Sequence, residues 1–167
     1  VSTSGCARLY GRDILIENDK IITVTSGDDD GGSATQTNFF LQNNDLDGNI
    51  NWVRKYDIGA FGNEWAEEVI SVSDGFIIMG LNRTVDEKIF LVKTDKDGNP
   101  LWARSYGKNA EQGIRFTAQS QIISVGDFLY FTGWATDSGN TRDALLIKTD
   151  SNGELIDNCM LSEDLKI

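Results

Sequence analysis

The chain states one pattern nearly three times. Residues 43–57 read NNDLDGNINWVRKYD, residues 93–107 read KTDKDGNPLWARSYG, and residues 148–160 read KTDSNGELIDNCM. Aligned on Asp45, Asp95 and Asp150, the copies stand 50 and 55 residues apart. A period of this length is the signature of stacked supersecondary units, each too small to bury both of its faces alone. The rest of the unit repeats as well. DILIENDKIITVT at 13–25 aligns with EVISVSDGFIIMG at 68–80 and with QIISVGDFLYFTG at 121–133, at offsets of 55 and 53.

Each unit therefore has an apolar segment, a turn near Asp19, Asp74 or Asp127, and a second apolar segment. A polar loop follows, then FFLQNND, IFLVKTD or ALLIKTD, a glycine turn, and a last segment carrying Trp, Arg and Tyr. The segments are short, rich in β-branched and aromatic residues, and bounded by Gly, Asp and Asn, the residues that tolerate positive φ in tight hairpins. No stretch sustains the helical period. The expectation is an all-β, single-domain chain over 1–167, built from four-stranded antiparallel meanders at about 12–56, 64–107 and 113–160. A leading strand is expected at 5–11, where Arg8 and Tyr10 repeat the Arg and Tyr of 54–56 and 104–106. The third unit departs from the pattern, with Asp157 in place of Trp and Cys159 in place of Arg, so its last strand is expected to be irregular or a cap.

Composition narrows the function classes. The net charge is −11, which repels phosphate backbones and anionic lipid and excludes nucleic acid as an expected partner. No apolar run approaches the roughly 20 residues of a membrane-spanning helix, so no membrane insertion is expected. The start at Val1 suggests a processed or excised product, and TSGCA at 3–7 resembles a lipoprotein cleavage box only partly, with Thr3 where an aliphatic residue belongs. The chain has no histidine, which removes Ser-His-Asp triads, Cys-His pairs and histidine metal ligands.

The remaining candidates are few. Cys6 and Cys159 fall in equivalent outer strands at opposite ends of the chain and are either a disulfide clasp or separate thiols; a bridge requires Cα atoms within roughly 7 Å. The D-x-D-G-N turns resemble the start of a calcium loop but lack its closing Glu, and read as hairpins. The acidic loop at 26–37, with Asp28, Asp29 and Asp30, is the better site for a cation, with Ca2+ the ion it could hold. Glu64, Glu67, Glu68 and Glu111 would be the carboxylates of a glycosidase, though nothing in the sequence pairs them. On one set of loops, Trp65, Arg83, Trp134 and Arg142 are the side chains suited to anchor a partner. The repeated Arg8, Arg54 and Arg104 read as structural, like Tyr10, Tyr56 and Tyr106.

The run LVKTDKDGNPLWARSYG at 91–107 resembles the repeats of bacterial β-propellers of the quinoprotein-like (PQQ-like) and secreted-lipoprotein kind. There a strand ends in Asp, a Gly turn follows, and a Trp opens the outer strand and docks on the next blade. The resemblance covers nearly the whole chain and implies three four-stranded blades plus the leading strand. Closed propellers have at least about four blades. It therefore implies a segment of a larger propeller, a ring completed by another chain, or an open array. No adjacent-cysteine pair or PQQ motif accompanies it, so no cofactor is expected beyond the calcium ion. The expected function is a non-catalytic extracellular or cell-surface scaffold or recognition module, binding protein or glycan through its loops and open blade edges. Its expected partners include other blades or copies of itself. The alternatives are a fragment of a propeller enzyme acting on carbohydrate and a subunit of a filament or other extended assembly.

Overall fold

Turn chemistry decides where the strands end. A computed structural model describes residues 9–28, 37–59, 63–82, 88–107, 114–115, 121–136, 142–156 and 162–164. Between β1 (Leu9–Glu17) and β2 (Lys20–Asp28), Asn18 and Asp19 take φ of 47° and 59°, the geometry a two-residue hairpin demands. Between β3 (Thr37–Asp45) and β4 (Ile50–Tyr56), Gly48 sits at φ 87°. The Asp45 carboxylate braces that turn, accepting the Asn49 backbone N–H at 2.8 Å and its Nδ2 at 2.9 Å. These bonds, that from the Asn49 side chain first, hold the Asp45 carboxyl below its ordinary range. The same turn recurs around Gly98 and Gly153, where Asp95 and Asp150 accept the corresponding backbone N–H groups.

The strands form three antiparallel sheets. The first has the order β1-β2-β3-β4. The second contains β5 (Glu64–Val72), β6 (Gly75–Asn82), β7 (Lys88–Asp95) and β8 (Pro100–Tyr106) in sequence order, with β13 (Ser162–Asp164) added on β8. The third has the order β10 (Ile122–Val125), β11 (Phe128–Thr136), β12 (Arg142–Asp150), and β9 (Ile114–Arg115) pairs with β11 beyond β10.

One expectation changes. The chain at 9–11 is not a separate leading strand: β2 runs on to Asp28, and Leu9–Gly11 fill its ladder after a bulge between Gly11 and Asp13. Residues 5–8 lie outside the described residues. Among the described residues the last segment of the third unit makes only an isolated bridge, Leu155 to Thr149, and β13 pairs with β8 of the second sheet.

Period-2 side-chain alternation sets the layering. One core joins the first sheet, through Ile22, Val24, Phe39 and Leu41, to Val69, Phe76, Ile78 and Phe90 of the second. The other joins Ile77, Met79, Leu91 and Tyr106 of the second to Ile122, Leu129, Phe131 and Ile147 of the third. The second sheet is thus covered on both faces, which is why β6 is buried from Gly75 through Leu81. Each buried Ile or Phe contributes about 1.5–3 kcal/mol. The outward faces differ: Ile14 and Ile16 of the first sheet are 63% and 71% exposed, and Ile123, Val125 and Leu146 of the third 56%, 54% and 68%.

Candidate functional site

Successive sheets are joined by two contacts that both recur. At the outer edge, the Tyr56 O–H donates to the Gly98 carbonyl at 2.7 Å, and Tyr106 O–H to the Gly153 carbonyl at 2.8 Å. The Trp and Arg of the same strand cover the glycine. A Cβ at Gly98 would lie 2.8 Å from both Trp52 and Arg54, and one at Gly153 would lie 3.0 Å from Trp102 and 2.8 Å from Arg104. Glycine is required twice over, for its positive φ and for this approach. Arg104 completes the second clasp through Nε to the Asn152 carbonyl at 2.8 Å and Nη2 to Glu154 at 2.6 Å. Burial drives both tyrosine pKa values well above the ordinary phenol range.

At the inner edge, a carboxylate accepts a backbone N–H of the next sheet. Asp13 takes that of Val69 at 3.0 Å, and Glu68 that of Ile122 at 2.7 Å. Each acid directly follows a bulge, between Gly11 and Asp13 or between Ala66 and Glu68, which turns it off its own sheet. The two extra residues, Arg12 and Glu67, face each other at 3.5 Å. Burial raises the Glu68 pKa, with Asp13 adding to it and the Ile122 amide opposing.

A third contact occurs once. Lys96 reaches the Glu17 carboxylate, the Val72 carbonyl at 2.8 Å and Ser71 Oγ at 3.2 Å, tying the first sheet to the second. Burial works to raise the Glu17 pKa, but hydrogen bonds from Lys96 and Ser71 outweigh it and hold the carboxyl low. The repeat places Val72, Ser124 and Ser151 at the corresponding positions between the second and third sheets. Among the described residues no lysine spans the gap there, and a cleft of about 270 Å³ remains, lined by Ser73, Asp74, Lys93, Ser124, Asp127 and Ser151 among others. Asp74 and Lys93 pair at 2.8 Å within it, and that hydrogen bond keeps the Asp74 carboxyl low. Hydroxyls, two carboxylates and an ammonium around a small hollow suit hydrogen bonding to a polar small molecule.

The candidates read from sequence are dispersed. Trp65 is half-buried in packing between the first and second sheets, with the Tyr10 ring centroid at 5.4 Å and the Arg12 guanidinium 4.5 Å from its ring. Trp134, also half-buried, sits on β11 of the third sheet, opposite Ala144. Arg142 opens β12 opposite Thr136, and Arg83 lies outside the described residues. Asp28 ends β2 opposite Thr37, while Asp29, Asp30, Cys6 and Cys159 lie outside the described residues. Among the described residues, no three His, Cys, Asp or Glu converge on a metal position.

The carboxylates take separate duties. Glu67 pairs with Arg12 and Glu68 with the Ile122 amide, whereas Glu111 lies outside the described residues. Glu64, at the start of β5, is 0% exposed with neither oxygen in a well-formed hydrogen bond. Burial pushes its pKa up to about 7, Asp57 adds to the shift, and the Ile58 amide and Lys55 pull the other way. The inner clasp was the contact sequence reading missed. Its signal is an acid at the same unit position, Asp13 and Glu68, directly ahead of a mostly apolar run. No family model matches the chain, and no curated protein matches it.

Proposed function

We propose that the chain is a non-catalytic scaffold and recognition module of the β-propeller type, each sheet one blade, acting outside the cell or on its surface. It holds protein partners, further blades or copies of itself foremost, through its open sheet faces. The observation that carries this reading is the outward face of the third sheet. Ile123, Val125 and Leu146 are more than half exposed there, while their repeat equivalents in the second sheet, Ile70, Val72 and Leu91, pack against the third sheet. An exposed face built like a buried one is a face made to be covered.

The use of polar groups supports a scaffold. Tyr56, Tyr106, Asp13, Glu68 and Lys96, which could serve chemistry elsewhere, are all occupied in joining sheet to sheet. The Trp seated on the next unit's glycine turn supports the propeller reading, and the resemblance to secreted repeats supports the location. A second reading, recognition of a sugar-sized polyol, is favoured by the serine- and aspartate-lined cleft.

Light scattering across a concentration series, with and without reductant, tests the leading reading. The expected result is a mass above the 18.4 kDa of one chain, persisting in reductant and lowered by Leu146→Asp. A particle of 18.4 kDa at every concentration would overturn it.

A further inference from the structure

The two ends of the stack are chemically different. Gly98 and Gly153 are buried beneath the Trp, Arg and Tyr of the preceding unit. Gly48 makes the same turn, with φ of 87° beside 78° and 77°, yet it is exposed and no described atom comes within 4 Å of where its Cβ would be. The inner clasp shows the same vacancy. The amides of Val69 and Ile122 are held by the carboxylate of the sheet before, whereas the equivalent Ile14 amide turns to its own neighbour, Asp13 Oδ1, at 2.8 Å. The third sheet, conversely, lacks the donor groups. Asp157, Cys159 and Leu161 stand where the other units have Trp, Arg and Tyr, and Gln121 stands where they have Asp13 and Glu68.

We propose that the first sheet is a receiving end, built to dock one further four-stranded unit whose last strand carries an intact Trp-x-Arg-x-Tyr. This rests on the reading of the chain as a stack that associates through open faces. The incoming Tyr donates to the Gly48 carbonyl, its Trp and Arg cover the glycine, and its inner-strand carboxylate takes the Ile14 amide from Asp13. The occupant is identified by continuity with the two interfaces already inside the chain, which solve the same recognition twice. The face itself follows suit. Ile14, Ile21, Phe40 and Val53 occupy the repeat positions of Val69, Phe76, Phe90 and Ala103, which are buried against the first sheet. Thr23 and Gln42 replace Ile78 and Val92, and an open groove of about 460 Å³ runs past Leu9, Arg12, Ile14, Thr23 and Gln42. These polar substitutions let the face stand in water until it is covered. The chain's own Tyr10 is not free for the role, because it is already against Trp65 at 5.4 Å.

Ring currents from the covering indole give a direct readout by NMR. In the unaltered chain the Gly98 and Gly153 Hα resonances should lie upfield and that of Gly48 should not. Titrating the labelled chain with a peptide of residues 49–57, NINWVRKYD, should move Gly48 upfield and leave the other two in place. The same peptide carrying Trp52→Ala and Tyr56→Phe should do nothing. In a second arm, Asp157→Trp, Cys159→Arg and Leu161→Tyr together supply the missing donor strand, and Gly48 should join the shifted pair. Particle mass then tells whether a second chain or the same one delivers it. A Gly48 resonance unmoved by the peptide, and unmoved in any grafted chain that keeps the Gly98 and Gly153 shifts, overturns the proposal. A failure of the third-sheet face, read through Leu146 at the opposite end, leaves this test intact.

Discussion

A carboxyl group with no exposed surface must lose its charge or destabilise the fold, and Glu64 is in that position. Its folded pKa of about 7 lies above its unfolded value of 4.5, so the folded state holds the proton more tightly. The resulting stabilisation is complete below pH 4.5 and is lost as pH rises through about 7. The span corresponds to about 3 kcal/mol. Urea unfolding at pH 5, 6, 7 and 8 should show the chain losing stability across this window relative to Glu64→Gln, which keeps the shape without the charge. Two curves that run parallel would show that Glu64 does not titrate there. Sequence reading could name Glu64 as an acid before a strand, but not its burial. Its repeat equivalent, Leu9, is 41% exposed, so the position alone does not fix the environment. What closes over Glu64 comes from neighbouring chain, including Asp57 and Ile58, and no local pattern encodes that.

At the scale of the element, the glycine turns and the Trp-x-Arg-x-Tyr strands form a lock whose parts come from different units. A side chain forced into positive φ costs roughly 1–2 kcal/mol. Gly48→Ala should therefore lose about that much stability and no more, because open space surrounds it. Gly98→Ala and Gly153→Ala suffer the same strain and also displace an indole and an arginine stem, so their losses should exceed it by a further ~1–3 kcal/mol. Tyr106→Phe, which strands the buried Gly153 carbonyl, should cost about 1–3 kcal/mol by the same denaturant measurement. Equal losses at the three glycines would refute the lock. Both motifs were plain in the sequence, because turn chemistry and period-2 alternation are local, and the first two meanders lie close to where the repeat placed them. Their partnership was not legible. Tyr56 and Gly98 are 42 residues apart, Tyr106 and Gly153 are 47, and a period reveals recurrence without revealing what recurs against what. The misplaced leading strand has a similar cause. Tyr10 copies the tyrosine of β4 and β8, yet the ladder offered by the nine-residue β2 draws it into β1.

For the molecule as a whole, stability should be graded by how many faces of each sheet are covered. The second sheet is packed on both sides and apolar along β6 and β7, whereas the first and third each leave one face to water. Local opening therefore costs most in the middle of the stack. Native-state hydrogen exchange on a dilute, monomeric sample should find the slowest amides in β6 and β7, with Ile78, Leu91 and Val92 near the global limit. The amides of β11 and β12 should exchange faster than those of β6 and β7. Those of β10, tied to β11 by only four residue pairs, should exchange faster than those of β11 and β12. The gradient also separates a covered face from an open one without reference to any partner. Raising the concentration until chains associate should slow β10 and β12 selectively, because Val125 and Leu146 would then lose the water that lets their strands open. If β11 and β12 were already as protected as β6 and β7 in the monomer, the outward face of the third sheet would be covered from within the chain. An association built on that face would then have nothing left to bury.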